Sequence, residues 1–155
     1  GIPHAIESGI FVLELQEPTD LSILLEWDGF AVDGDKDGHL NLGFDSALDA
    51  LRLSPLSEKE SSLVISKFDT AADSPHSIFQ SVADPFFRAD YLTGNGEETP
   101  AGFGIFLCLS GTGKLNFHNY DQLSVAIGDA VVIPHSAGSF QINGCAGILC
   151  RPPEA

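Results

Sequence analysis

The chain has 155 residues, 43% of them apolar and 19% charged, the composition of a packed globular chain of about one domain. Seven Lys and Arg against 22 Asp and Glu give a formal charge of −15. Such a surface repels phosphate backbones and anionic lipid heads, so nucleic acid and membrane surfaces are not the expected partners. No apolar run approaches the roughly 18 residues of a bilayer span. No basic start followed by an apolar run marks a signal peptide. The chain opens on Gly1 and contains no Met, which points to a piece of a longer product. Cys108, Cys145 and Cys150 show neither Cys-x-x-Cys nor Cys/His ligand spacing. They are expected as buried free thiols in strands, in a reducing cytoplasm.

Residues 10–17 are apolar and β-branched enough to predict a strand. By period two, Val12, Glu14 and Gln16 share one face. Pro18-Thr19-Asp20 breaks it, and Leu21 to Trp27 predicts a second strand. Polar groups among apolar neighbours inside a barrel need partners, and a ligand or metal supplies them. Asp28 to Gly43 reads as an Asp/Gly-rich loop. Phe44 to Leu53 has helical spacing of apolar residues. Ser57-Glu58-Lys59-Glu60 starts a short helix reaching about residue 66.

From Pro85 onward the pattern is short strands parted by turns. They are expected at 86–92, 103–109, 114–117, 123–127, 130–133, 139–142 and 147–151. Ser110-Gly111-Thr112-Gly113 is expected as a hairpin turn and Thr93 to Pro100 as a loop. Strands at this spacing predict a mainly β jelly roll or barrel. Its expected core includes Phe103, Ile105, Leu107, Leu115, Val131, Ile133 and Leu149.

His4 stands in a tight turn, Gly1-Ile2-Pro3-His4-Ala5, just before the strand that carries Glu14. A histidine and a carboxylate at a barrel mouth are common ligands of zinc and similar divalent ions. Asp33-Gly34-Asp35-Lys36-Asp37-Gly38 imitates the start of a calcium loop. Position 12 of that loop should be Glu and is Phe44. Gly111-Thr112-Gly113-Lys114 lacks the first Gly of a phosphate loop, since position 108 is Cys. Gly128-Asp129 followed by Pro134 resembles a cupin turn. A metal-bearing cupin has a His about five residues past that Pro, and Ser139 and Phe140 stand there instead. The barrel from Pro85 onward is therefore expected to be metal-free, with His118 and His135 as surface or packing residues.

Gly1-Ile2-Pro3-His4-Ala5-Ile6 and Leu13-Glu14-Leu15-Gln16-Glu17-Pro18-Thr19-Asp20 together resemble the metal-site segment of type I phosphomannose isomerases. The likeness is closest to the class I mannose-6-phosphate isomerase-like cupins of bacteria. Ala83-Asp84-Pro85-Phe86-Phe87-Arg88-Ala89 and the closing stretch from Gly128 to Pro153 are similar to that branch as well. The resemblance implies two cupin barrels in the whole protein. Residues 1–30 would then be the closing strands of the metal-bearing first barrel, 31–84 a loop with short helices, and 85–155 a second, metal-free barrel. It implies His4 as the last ligand of one zinc ion, with the other ligands in a missing N-terminal half. It implies Glu14 and Asp20 as catalytic residues in the isomerisation of mannose 6-phosphate to fructose 6-phosphate. In that reaction a proton moves between C1 and C2 through an enediol.

The chain departs from the family at Leu24, where an Arg usually follows that Asp by four residues, and Ile6 replaces an aromatic. No Lys or Arg precedes Lys36, so this segment offers a phosphate no cation. The expected partner is a small sugar or sugar phosphate. The alternatives are a non-catalytic cupin that binds metal or sugar as a sensor or scaffold, and an isomerase of an unphosphorylated sugar.

Overall fold

The computed structural model describes residues 1–16, 22–65 and 69–153. They form two compact units, Gly1–Ser57 and Glu58–Ala155. Among the described residues, no helix is long and apolar enough to cross a membrane.

The first unit holds two single-turn helices, α1 (Gly34–Asp37) and α2 (Phe44–Ala47), the latter running into a 3-10 turn at Leu48–Ala50. Its order centres on aromatic contacts. Trp27 stacks on Phe44 with ring centroids 5.6 Å apart, and the Phe44 ring meets the edge of His39 at 5.1 Å. A Cβ on Gly34 would fall within 1.9 Å of the Trp27 indole, so only glycine admits that ring here. His39 clamps the loop: the Gly43 N–H donates to its Nδ1 at 3.1 Å, and its Nε2 donates to the Asp35 carbonyl at 3.0 Å. These two bonds fix the neutral tautomer.

The two strands expected at 10–17 and 21–27 are a correction: the described parts, 10–16 and 22–27, have no strand conformation. Apolar alternation makes a strand possible. Forming one requires a neighbouring edge to take up the backbone N–H and C=O groups, and none pairs with this stretch among the described residues. Phe11 is accordingly 76% exposed.

The second unit opens with α3 (Glu58–Val64) and is then almost entirely β. Its strands are β1 (His76–Ser77), β2 (Arg88–Leu92), β3 (Asn95–Thr99), β4 (Gly104–Phe117), β5 (Leu123–Ala126), β6 (Ala130–Ile133) and β7 (Phe140–Arg151). All pairings are antiparallel, and β4 and β7 pair along nearly their whole lengths. Each of these long strands pairs with the other on one side and with two short strands on its other side. β7 pairs with β2 at Gly147–Arg151 and with β3 at Phe140–Asn143. β4 pairs with β6 at Gly104–Leu107 and with β5 at Thr112–Leu115. Two half-sheets result, β1-β2-β7-β4-β6 and β3-β7-β4-β5, sharing bent central strands.

The bend runs through glycines. The β4–β7 register shifts between Cys108 and Ser110 and again between Gly111 and Lys114. Gly111 has φ +79°, and a Cβ there would lie 2.7 Å from the Gly144 carbonyl oxygen; Gly94, between β2 and β3, has φ +77° and would place a Cβ 1.9 Å from the Cys145 carbonyl oxygen. The run Ser110 to Gly113 is therefore a corner inside one strand, where a hairpin turn was expected, because glycine marks bulges as readily as turns. Likewise the expected loop 93–100 contains β3, whose polar residues lie along a partly solvated edge.

Residues of both half-sheets meet in one core: Leu92, Phe106, Ile133 and Leu149 from one, Leu115, Val125, Phe140 and Ile142 from the other. This is a jelly roll, as expected. The core expectation holds for Leu115, Ile133 and Leu149, and Val131 packs against the cluster. It fails for Phe103 and Ile105, which are 49% and 42% exposed, whereas Phe106 is 0% exposed. In Phe103-Gly104-Ile105-Phe106-Leu107-Cys108 both faces are apolar. The inward face carries Gly104, whose missing side chain lets β4 approach Leu149 closely, and this glycine hides the true phase.

Cys108, Cys145 and Cys150 are free and buried, as expected. Burial, with the neighbouring Cys108 thiol second, pushes Cys145 up to about 11, and burial also raises Cys150. Cys145 and Cys150 should resist alkylation by iodoacetamide near pH 8 until the chain unfolds, because the thiolate is the nucleophile. Mass spectrometry of native and urea-unfolded samples checks this; rapid native modification of Cys145 would contradict it.

Candidate functional site

His4 is exposed, and its Nδ1 donates to the Ile2 carbonyl at 3.1 Å. Glu14 is exposed too. Asp20 lies outside the described residues. Asp35 and Asp37 are on α1, and the Asp33 carbonyl accepts the Lys36 and Asp37 N–H groups, so this stretch is a helical turn. Among the described residues, no group of three His, Cys, Asp or Glu is gathered in a metal-holding cluster. The residues present do not by themselves fit zinc, which needs three or four protein ligands. His118 and His135 are exposed.

The β unit contains a site that the sequence reading missed. Arg88 pairs with Arg151 across β2 and β7, and Asp90 with Leu149. Directly opposed residues share a face, and here it is the face that carries the core residues Leu92 and Leu149. The two arginines and Asp90 therefore continue the barrel's inner face toward its rim. With Ser77, Glu98 and Thr99 they line a cleft of about 550 Å³. An adjoining cleft of about 500 Å³ shares Ser77, Arg88 and Asp90 and adds Asp84.

The charges are mutually tuned. Burial raises the Asp90 carboxyl above its usual value, against the opposing pull of Arg88, Arg151 and His76. Burial also lowers Arg151, and Arg88 adds to that, while Asp90 opposes it. Arg88 Nε donates to the Pro152 carbonyl at 3.1 Å, and Arg151 Nη2 donates to the Pro100 carbonyl at 2.6 Å. Arg151 Nε is buried and has no hydrogen-bond partner among the described residues. Gly102 leaves room for the Arg151 guanidinium, since a Cβ there would lie 2.5 Å from Nη1. The sequence signal was available: Arg88 and Asp90 alternate on one strand, and Arg151 closes the last one.

The raised Asp90 has a consequence for stability. The folded chain binds this proton more tightly than the unfolded chain does. Its penalty is absent at pH below the ordinary carboxylate range and sets in as pH rises through that range to the raised folded value. Asp90→Asn is expected to be more stable than the wild type near neutral pH, with the gap closing below about pH 4. Urea unfolding at both pH values measures this. A neutral-pH loss on substitution would mean that attraction to the arginines outweighs burial.

Bent β4 and β7, the two half-sheets and the single core define a cupin-type jelly roll. Two variants of phosphomannose isomerase from Salmonella typhimurium share this fold. They superpose with a TM-score of 0.53 at 14% and 15% identity, over 71% of this chain and 27% of theirs. An RmlC-like cupin family protein from Methanocaldococcus jannaschii aligns at a TM-score of 0.45 and 12% identity, over 57% of this chain and 89% of its own. No protein-family model matches the sequence, and no curated protein matches it.

Proposed function

We propose that this chain is part of an aldose–ketose isomerase of the mannose 6-phosphate type. The observation that carries the reading is the presence, in one chain, of a cupin-type jelly roll and the strings Gly1-Ile2-Pro3-His4-Ala5 and Leu13-Glu14-Leu15-Gln16. In this reading His4 is one ligand of a zinc ion whose other ligands lie upstream, in the remainder of a cytoplasmic protein. Zinc, when bound, would orient the sugar oxygens and stabilise charge on them. Glu14 and Asp20 carry the proton between C1 and C2. The exposure of His4 and Glu14 supports this division, because the side chains of an incomplete site have nothing to bury them.

A second reading is a cupin that binds a sugar without turning it over. Leu24 favours it. This side chain stands where the family's Arg would be, is 36% exposed and is hydrophobic. It can neither hold a phosphate nor stabilise an enediolate.

Metal analysis tests the first reading. This chain purified alone should hold well under one equivalent of zinc, while the gene product that includes the upstream residues should hold one. Stoichiometric, chelator-resistant zinc in this chain alone would overturn the split site.

A further inference from the structure

We propose that the rim cleft of the β unit binds a small hydroxylated anion, a sugar acid or sugar phosphate, through Arg88 and Arg151. This site uses neither His4 nor Glu14, and the inference does not rest on the isomerase reading.

Three observations carry it. The chain has a formal charge of −15 and only three arginines, yet two of them are cross-strand neighbours facing one cleft. Like charges side by side are unfavourable in a sheet; Asp90 beside them offsets part of the repulsion, and an anion in the cleft offsets more. Arg151 is anchored at one end by the Pro100 carbonyl, while its buried Nε–H has no acceptor among the described residues. That nitrogen is closed off from the cleft, so a ligand oxygen would meet the Arg151 guanidinium at its Nη groups. The cleft of about 550 Å³ is within the range of small-molecule sites. The remaining lining chemistry sets the ligand class. Guanidinium groups grip carboxylate or phosphate in charge-assisted pairs. Asp90, Glu98, Ser77 and Thr99 around them supply acceptors and hydroxyls for a polyol. The acidic groups at the rim disfavour a ligand that is only charge.

Calorimetric titration of this chain with glucose 6-phosphate, D-gluconate and glucose tests the proposal. Glucose 6-phosphate, D-gluconate or both should bind with Kd near or below about 1 mM, and glucose should not. The two anions separate phosphate from carboxylate recognition. Arg88→Gln and Arg151→Gln should each weaken binding about tenfold or more, while Lys114→Gln, outside the cleft, should leave it unchanged. A measurement on the wild type guards against variants that misfold: the Arg151 Nε–H proton resonance should shift on saturation with the anion. Failure of both anions to bind, equal binding of glucose, or an unmoved Arg151 resonance at saturation would overturn the site.

Discussion

Replacing Phe106 by Ala should lower the unfolding free energy of the β unit by about 3–5 kcal/mol, the largest stability effect expected of a single change in this chain. Phe106 is wholly buried at the meeting of the two half-sheets. It sits over Gly147, where a Cβ would lie 2.7 Å from its ring and 2.1 Å from the Leu107 carbonyl oxygen. The ring and the glycine form a lock between β4 and β7, and removing the ring leaves a void that backbone at such close approach cannot collapse to fill. The loss depends on the face assignment. Ile105→Ala, one residue away and 42% exposed, should lose much less, since most of its surface is already in water. Urea unfolding of both variants reads the difference. Equal losses would mean that β4 presents the other face to the core.

That pair of residues also shows how far the sequence was legible. The mainly β jelly roll follows from short apolar runs and turn residues after Pro85, and all seven expected strand segments in that stretch overlap described strands, 103–109 and 114–117 both falling on β4 and 139–142 and 147–151 both on β7. Phase on β4 was not legible, because Gly104 occupies an inward position and both faces of the segment are apolar. The corner at Ser110 to Gly113 was not legible either, since a local pattern of glycines is the same for a hairpin and for a bent strand. It takes the β7 glycines and the β2–β3 glycine at the same level to tell them apart. The strands expected at 10–17 and 21–27 were read from alternation alone, and alternation does not say whether a neighbouring edge exists.

The candidate sites divide in the same way. His4 and Glu14 were legible as residue types in a familiar string, and the described residues do not gather them into a site. Arg88, Asp90 and Arg151 are far apart in sequence, and only the β2–β7 register brings them together. The strand of origin of each was legible, but the pairing that makes them neighbours was not.

On the proposed isomerase reading, Leu24→Arg should raise the turnover of mannose 6-phosphate by the full gene product about 10²–10³-fold. A guanidinium holds a phosphate or a developing enediolate by two parallel charge-assisted hydrogen bonds, and leucine makes none. The position tolerates the change. Leu24 is held through its backbone, whose N–H donates to the Gly38 carbonyl at 2.9 Å, and its side chain is exposed. The substitution therefore adds a charge without emptying a core. Steady-state kinetics with mannose 6-phosphate and with free mannose separate the two roles: a gain confined to the phosphate ester assigns the guanidinium to the phosphate, and a gain on both assigns it to the enediolate. Ordinary enzyme rates in the wild type, with no gain on substitution, would mean that the phosphate is held by another cation.

The most direct test is proton exchange at carbon. The zinc-supplemented gene product that contains this chain is incubated with mannose 6-phosphate, and separately with mannose, in deuterated water and followed by NMR. Conversion of at least one of the two to its ketose, with deuterium entering the C1 or C2 position and with both lost in Glu14→Gln by about 10²-fold or more, is the result expected of an enediol isomerase. Absence of both conversion and exchange with either sugar, in protein that carries its full equivalent of zinc, would contradict it.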